Sequence, residues 1–297
     1  MPDIELTGLT KRYGRVTAVD DLTAQATPGH VTAFLGANGS GKTSTMRILL
    51  GLSEPDSGRA TIGGVRYRAL LHPWRTVGAV LDQGFHPNRS ARNHLRIIAA
   101  QADVPRTRVD EVLDEVGLLD AAGRRVGGFS LGMRQRLNLA SAIVGRPDTL
   151  VLDEPFNGLD PAGIGSMRGF LRRFADRGGT VLLSSHLLSE IAHTADDAIV
   201  IDHGRLVGAG PVASLAPPRQ VITVSTPEPA LLGEALVRAG GQVREDGNAT
   251  LTVCDLTPEV IGQVALDARA LVTQLRPQED GLEAAFAALI QPKDVSS

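Results

Sequence analysis

The stretch Gly36-Ala37-Asn38-Gly39-Ser40-Gly41-Lys42-Thr43 decides the fold, because it matches the phosphate-loop pattern G-x-x-x-x-G-K-[ST]. The apolar run 31–35 before it predicts a buried strand, and residues 43–50 after it predict a helix. A chain with three lysines and 33 glycines matches this pattern by chance about 0.004 times. Strand, loop and helix together therefore predict a P-loop nucleoside-triphosphatase fold of the α/β class.

This loop has the chemistry that the phosphates of a nucleotide require. Its glycines let the backbone fold around the β-phosphate with N–H groups pointing inward, and the first turn of the helix adds positive potential. Lys42 is expected to bridge the β- and γ-phosphates, and the Thr43 hydroxyl to bind Mg²⁺. All eight loop residues, 36–43, are therefore candidate nucleotide ligands.

Two acidic residues follow a second apolar run. Residues 150–152 predict a buried strand, and Asp153 and Glu154 come directly after it. Asp153 suits the role of holding Mg²⁺, and Glu154 that of orienting and polarising the attacking water. The alternative is an acidic pair that is merely solvated at the end of a strand. Their place about one domain's width after the phosphate loop favours the catalytic interpretation.

Charge and composition argue against several other classes of protein. The chain has 297 residues with 30 basic and 33 acidic side chains, and its aromatic residues are 7 Phe, 2 Tyr and 1 Trp. A net charge of −3 and few aromatic rings are a poor basis for gripping nucleic acid, so we expect no nucleic-acid partner. The single cysteine, Cys254, excludes an internal disulfide, and no Cys/His cluster has zinc-ligand spacing.

The sequence predicts a cytoplasmic chain. Its first residues have neither the basic start nor the apolar run of a signal peptide, and its longest unbroken apolar run is 284–290. A membrane-spanning helix needs about 20 apolar residues. We therefore expect the chain to meet a membrane only through another protein or a surface contact.

The chain is expected to fold as two domains. Residues 1–215 alternate short apolar runs with helical patterns, which is typical of an α/β domain with a largely parallel sheet. The proline-containing stretch 215–219 predicts a linker. Residues 219–297 predict β-α-β-β-α-β with a last strand at 271–275, followed by a helix at 282–290. This order indicates a small α+β domain of the ferredoxin-like or a related kind.

A third motif lies between the phosphate loop and the acidic pair, and it resembles the signature of one particular protein family. The stretch Phe129-Ser130-Leu131-Gly132-Met133-Arg134-Gln135-Arg136 resembles the signature of ABC transporter nucleotide-binding subunits, Ser-Gly-Gly-Gln followed by basic residues. Ser130 and Gly132 match that signature, whereas Leu131 replaces its first glycine and Met133 its glutamine. Ser130 can cap the helix that follows, and its hydroxyl with the adjacent N–H groups can bind an anion.

The resemblance assigns roles to three further residues. Asp160, in the stretch 157–161, matches the acid of the family's D-loop, and His186 matches the switch histidine that contacts the γ-phosphate. Tyr13 fits the aromatic residue that stacks on adenine. A structural histidine and an ordinary surface or core tyrosine are the alternatives for the last two.

The family also places a glutamine after the strand predicted at 77–81. Gln83 is the nearest glutamine, but counting from the strand puts Asp82 at the expected position. Either side chain can hold a water on Mg²⁺. We expect Gln83 to fill this catalytic and metal-binding role, and Asp82 stays open.

The Ser-Leu-Gly-Met version of the signature and the ending at 280–286 resemble the ATPases of daunorubicin-resistance-type drug exporters of the ABC-2 kind. The resemblance implies an ATPase that uses ATP and Mg²⁺ at the cytoplasmic face of the membrane. It would work as a homodimer and power a separate ABC-2-type permease that exports drugs, antibiotics or lipid-like compounds. Each ATP would lie between the phosphate loop of one subunit and the signature of the other. A helical subdomain is implied at about 84–145, with residues 84–125 as the permease contact.

Two other functions stay open. One is an importer ATPase, since the C-terminal domain is the main discriminator and can equally be a regulatory ligand-binding module. The other is a non-transport ABC ATPase that acts on DNA or ribosomes. The chain has one P-loop and no long coiled-coil pattern, which argues against that second function.

Overall fold

A short buried strand precedes the phosphate loop, and another precedes the acidic pair. The structure, a computed structural model, describes residues 1–81, 84–185, 188–215, 221–247 and 249–278. The chain divides into two units, 1–212 and 213–297. The linker residues 216–219 and the helix predicted at 282–290 lie outside the described residues.

The strands of the first unit are β1 (Ile4–Tyr13), β2 (Val16–Ala26), β3 (Val31–Leu35), β4 (Ser57–Ile62), β5 (Val77–Val80), β6 (Thr149–Leu152), β7 (Thr180–Ser184), β8 (Asp197–Asp202) and β9 (Arg205–Pro211). The helices up to residue 215 are α1 (Lys42–Leu49), α2 (Pro73–Thr76), α3 (Ala91–Gln101), α4 (Thr107–Glu115), α5 (Leu131–Ile143), α6 (Pro161–Asp176), α7 (Leu188–Ala192) and α8 (Val212–Leu215).

The central sheet has the order β5-β6-β7-β3-β8-β9. Strands β5, β6, β7, β3 and β8 are parallel, and β9 pairs antiparallel with β8. Every residue of β3, β6 and β7 is buried, as expected for apolar strands covered on both faces. Since parallel strands end at the same edge, the phosphate loop after β3 and the acidic pair after β6 come together there.

A second, antiparallel sheet of order β2-β1-β4 was not expected from the sequence. Its apolar side chains share one core cluster with α1 and the central sheet, including Leu9, Leu22, Phe34, Met46 and Val151. Helices α3, α4 and α5 contact one another within the stretch 84–145. One face of α4, formed by Val109, Val112 and Leu113, is buried.

The second unit consists of β10 (Val221–Ser225), α9 (Pro229–Arg238), β11 (Gln242–Gly247), β12 (Thr250–Cys254), α10 (Pro258–Ala268) and β13 (Gln274–Gln278). Its antiparallel sheet has the order β11-β12-β10-β13. This β-α-β-β-α-β succession is that of ferredoxin-like domains. A separate core forms between the sheet and both helices.

The sequence predicts the last strand at 271–275, and it begins three residues later, at Gln274. Arg269 ends α10 in a left-handed conformation with a φ of 53°. The chain then passes through Leu271, which is exposed and donates its N–H to Glu228 at 3.2 Å. Pairing with β10 therefore starts only at Gln274.

No helix in the described part of the chain has the length and apolar character needed to cross a membrane.

Candidate functional site

The phosphate loop is a tight turn between the end of β3 and the start of α1. Gly41, the N-cap of α1, has a φ of 106°, a conformation that glycine adopts and other residues disfavour. A Cβ atom at Gly41 would collide with the carbonyl oxygen of Ala18, and one at Gly36 with the Ser40 hydroxyl. The Ser40 N–H donates to the Ala37 carbonyl at 3.1 Å. Asn38, Gly39 and Thr43 are exposed, so this side of the loop is open to a ligand.

Lys42 reaches back across the loop. Its Nζ donates to the carbonyl oxygens of Gly36 at 2.7 Å and Ala37 at 3.0 Å. Burial lowers the pKa of Lys42 below its usual value, and the negative charges of Glu154 and Asp153 offset only part of this shift. A buried ammonium held by two neutral carbonyls can exchange them for phosphate oxygens, which are charged and stronger acceptors.

Thr43 and Asp153 meet although they lie far apart in the sequence. The Thr43 hydroxyl donates to Asp153 Oδ2 at 2.9 Å. Ser184, the last residue of β7, donates its hydroxyl to the other oxygen, Oδ1. A hydroxyl and a carboxylate are hard oxygen ligands of the kind that Mg²⁺ prefers. The donor set therefore fits a magnesium ion beside the phosphate loop.

Glu154 follows in a strained backbone conformation, with a φ of 49°. Its N–H donates to the Ser184 hydroxyl at 2.9 Å, and its carbonyl accepts from Gln135 Nε2 at 2.9 Å. No sequence motif assigns a role to Ser184 or Gln135. The signal for Ser184 is that it is a polar residue at the end of an apolar strand, and the signal for Gln135 is its place in the extension of the signature.

The signature and the D-loop adjoin each other. Ser130 caps α5 by accepting from the Met133 N–H at 3.2 Å, and Asp160 caps α6 by accepting from the Gly163 N–H at 2.9 Å. Gly158 has a φ of 74°, and a Cβ atom there would collide with the Leu131 side chain. The leucine that replaces a signature glycine therefore packs against the D-loop of its own subunit.

Gly132 and Tyr13 occupy open positions. A Cβ atom at Gly132 would be 3.5 Å from the Gly158 carbonyl oxygen, an ordinary contact distance. Tyr13 ends β1 and is 48% exposed, with its hydroxyl 3.4 Å from Ser53 Oγ and the Lys11 ammonium 5.4 Å from its ring centre. Tyr13 lies at the hairpin between β1 and β2, and Ala18 of β2 contacts Gly41 of the phosphate loop. Adenine stacking on Tyr13 stays a prediction.

Gln83, Asp82 and His186 lie outside the described residues. The strands that precede them can be placed. The Asp153 N–H donates to the Val80 carbonyl at 2.7 Å, at the end of β5, and β7 ends at Ser184 on the other side of β6. Both strands therefore end at the edge that carries the acidic pair, and the roles of the three residues stay predictions.

We expect Gly158→Asn to destabilise the first unit by about 1–3 kcal/mol, the usual range for overpacking. Asparagine tolerates a positive φ, so the loss reports the collision with Leu131 rather than backbone strain. Leu131→Ala in the same chain should recover most of the loss, because it removes the colliding Cγ and Cδ atoms. Urea unfolding of the four forms measures the coupling, and simple additivity would contradict the contact.

Two family models match the chain. A model described as ABC transporter matches residues 19–157, which include the phosphate loop, the signature and the acidic pair. A model for a domain of unknown function matches residues 220–283, in the second unit.

Several proteins of known name are similar in sequence. The bacitracin transport ATP-binding protein BcrA of Bacillus licheniformis is 42% identical over 208 residues, covering 69% of this chain and 68% of that protein. BcrA of Enterococcus faecalis is 33% identical over 298 residues, covering 97% of this chain and 96% of that protein. The lantibiotic transport ATP-binding protein SrtF of Streptococcus pyogenes is 34% identical over 205 residues, with coverages of 69% and 89%.

Solved structures share the fold of the first unit. An ATP-binding subunit of an ABC transporter superposes with a TM-score of 0.66 at 25% identity, covering 72% of this chain and 92% of that one. A dimeric bacterial ABC transporter cassette gives 0.64 at 20% identity, with coverages of 70% and 98%.

Proposed function

Because the chain belongs to the ABC transporter family, as the ATP-binding subunit that hydrolyses ATP to drive transport, we propose that it powers antibiotic export. The antibiotic is of the bacitracin or lantibiotic kind, and the chain works at the cytoplasmic face of the membrane on a separate ABC-2-type permease. The observation that carries this proposal is the similarity to the bacitracin transport protein of Enterococcus faecalis, which covers 97% of this chain and so includes the second unit.

In this function the phosphate loop binds MgATP. Lys42 exchanges its two carbonyl partners for β- and γ-phosphate oxygens, while backbone N–H groups at the start of α1 bind the β-phosphate. Thr43 and Asp153 would hold Mg²⁺, which neutralises phosphate charge when bound. Glu154 accepts the proton of the attacking water. Its place next to Asp153, which accepts from the Thr43 hydroxyl of the phosphate loop, supports this role.

Two copies of the chain complete each site. Ser130 and Gly132 of one copy face the nucleotide on residues 36–43 of the other, and Asp160 orders the D-loop between them. The dimeric form of a cassette with the same fold supports this arrangement. ATP closes the dimer through charge-assisted contacts of the γ-phosphate to both copies, and hydrolysis removes those contacts. Gln83 and His186 are proposed to contact the metal-bound water and the γ-phosphate.

The permease binds residues 84–125 and an apolar surface beside them. Leu71 is 91% exposed. Trp74, three residues further along the chain, is also exposed although apolar, and it lines one cavity together with the exposed Leu52. Arg75 ties this surface to the end of α3 by donating to the Asp103 carbonyl at 2.8 Å. Exposed apolar side chains in such a group are typical of a protein–protein contact.

We expect Leu71→Asp to abolish co-purification with the permease while the ATPase rate of the purified chain stays unchanged, because a charge replaces an apolar contact far from the nucleotide. Val207→Asp on β9, at the opposite edge of the central sheet, is the matched control and should leave both unchanged. Normal permease binding by Leu71→Asp would remove this surface from the proposal.

The export function is tested in cells that carry the chain with its permease. We expect loss of the chain to lower the bacitracin or lantibiotic concentration that stops growth, and the wild-type chain to restore it. ATP-dependent accumulation of a solute inside intact cells would instead indicate an importer. An ATPase rate that responds to DNA or ribosomes, and not to the permease, would indicate a non-transport ATPase.

A further inference from the structure

We propose that Gln135 is a positioning residue for Glu154, through which the placement of the signature helix α5 controls the catalytic carboxylate. The inference rests on the proposed function, in which Glu154 accepts the proton of the attacking water. Gln135, in the stretch that extends the signature, thereby links the signature physically to the hydrolytic step.

The hydrogen bond from α5 to Glu154 is buried and oriented. Gln135 is 4% exposed, and its Nε2 donates to the Glu154 carbonyl at 2.9 Å. Asn138, one turn further along α5 and also buried, donates its Nδ2 to Gln135 Oε1 at 3.0 Å. The asparagine thereby fixes which end of the glutamine amide faces Glu154. A buried amide with defined partners holds one geometry, since losing a partner leaves a polar group unsatisfied.

The backbone of Glu154 has an unfavourable conformation that hydrogen bonds from neighbouring residues must hold in place. Its φ of 49° places a side chain-bearing residue in the left-handed region, where few such residues are found. Two hydrogen bonds hold the peptide groups on either side: Ser184 accepts from its N–H at 2.9 Å, and Gln135 donates to its carbonyl. The direction of the carboxylate follows from this backbone geometry. Strain that is maintained by surrounding contacts at a reactive group is a means of preorganisation.

The two restraints come from different parts of the structure. Ser184 lies in the central sheet and also contacts Asp153, so it moves with the metal-binding edge. Gln135 lies on α5, whose N-cap is Ser130 of the signature. When the signature engages the nucleotide of the partner subunit, α5 is seated and Gln135 holds Glu154 in place. A displaced α5 releases the carbonyl, so that hydrolysis in one site depends on signature engagement with the other.

Gln135→Met tests the proposal in the full-length chain, because methionine has similar length and no donor. We expect kcat for ATP hydrolysis to fall by about 10²-fold, the usual effect of misplacing a catalytic group by about 1 Å. The KM for ATP and the ATP affinity should stay close to wild type. The unfolding temperature should fall by only a few degrees, because the Glu154 carbonyl and the Asn138 amide each lose one buried partner. The ATP-bound dimer should accumulate, since closure does not need Glu154 to be aligned. Asn138→Ala, which frees the amide without touching Glu154, should shift kcat in the same direction by less.

Ser141→Ala is the matched control on the same helix. It removes a hydroxyl that donates to the Leu137 carbonyl at 2.8 Å and contacts His94, with no link to Glu154. It should leave kcat unchanged. In combination with Glu154→Gln, Gln135→Met should slow hydrolysis no further, because both act through one carboxylate.

A normal kcat in Gln135→Met would overturn the proposal, and so would a loss of ATP affinity in parallel with the loss of kcat. Additive losses of kcat in the double variant would overturn it as well. If Gln135→Met does not fold, a wild-type kcat in Asn138→Ala has the same meaning. Failure of the proposed function can be distinguished from failure of the Gln135 proposal. If the proposed function is wrong, the wild-type chain shows no ATPase activity or the Glu154→Gln variant is fully active.

Discussion

Lys42→Ala is expected to abolish ATP binding, and hydrolysis with it. The substitution removes the positive charge held over the loop by the carbonyls of Gly36 and Ala37, the group placed to receive the β- and γ-phosphates. Lys42→Arg should fail as well, because a planar guanidinium does not fit a cradle built for a compact ammonium. Equilibrium binding of ATP and steady-state ATPase activity measure the effect.

The control is Arg47→Ala, which removes a positive charge from the last turn of the same helix α1. It should bind ATP as the wild type does, so that a loss in Lys42→Ala cannot be attributed to the net charge of the helix. The unfolding temperature of Lys42→Ala should stay near wild type, since the loop is closed by the Ser40 N–H bond to Ala37. Steady-state ATPase activity unchanged from wild type would refute the phosphate-loop assignment.

The sequence predicts the parts of the site that are local. The phosphate loop is one continuous segment, and its turn requires glycine at position 41, where φ is 106°. The apolar runs that become β3 and β6 are buried as expected, and Ser130 caps the helix that the signature begins. Each of these features depends on neighbouring residues, which the pattern shows directly.

The rest depends on which strands become neighbours. Ser184 reaches Asp153 and Glu154 because β7 pairs with β6. Gln135 reaches Glu154 because α5 packs against β5, the strand on the other side of β6. No local pattern encodes either pairing. Similarly, the sheet of β1, β2 and β4 joins segments separated by the phosphate loop and α1, so the sequence pattern does not reveal it. The contact of Leu131 with Gly158 likewise appears only in the folded chain.

Glu154→Gln is expected to slow ATP hydrolysis by roughly 10²-fold or more, the contribution typical of a general base. Glutamine has nearly the same shape, and the two backbone hydrogen bonds of Glu154, to Ser184 and from Gln135, involve only its peptide groups. The backbone should therefore keep its geometry while the side chain loses its ability to accept a proton. Thr43, Asp153 and Lys42 are untouched, so ATP affinity should remain.

A variant that binds ATP and does not hydrolyse it should also stay in the closed dimer, since the γ-phosphate contacts that join the two subunits persist. Light scattering with ATP present should then give twice the mass of the chain, and the wild type should return to monomer as ATP is consumed. Glu111→Gln on α4, which removes a carboxylate paired with Arg108 at 3.2 Å far from the loop, should behave as wild type. A Glu154→Gln chain that turns over normally and stays monomeric with ATP would exclude Glu154 as the base. Hydrolysis would then require another proton acceptor, and His186, the predicted switch histidine, is the first residue to substitute.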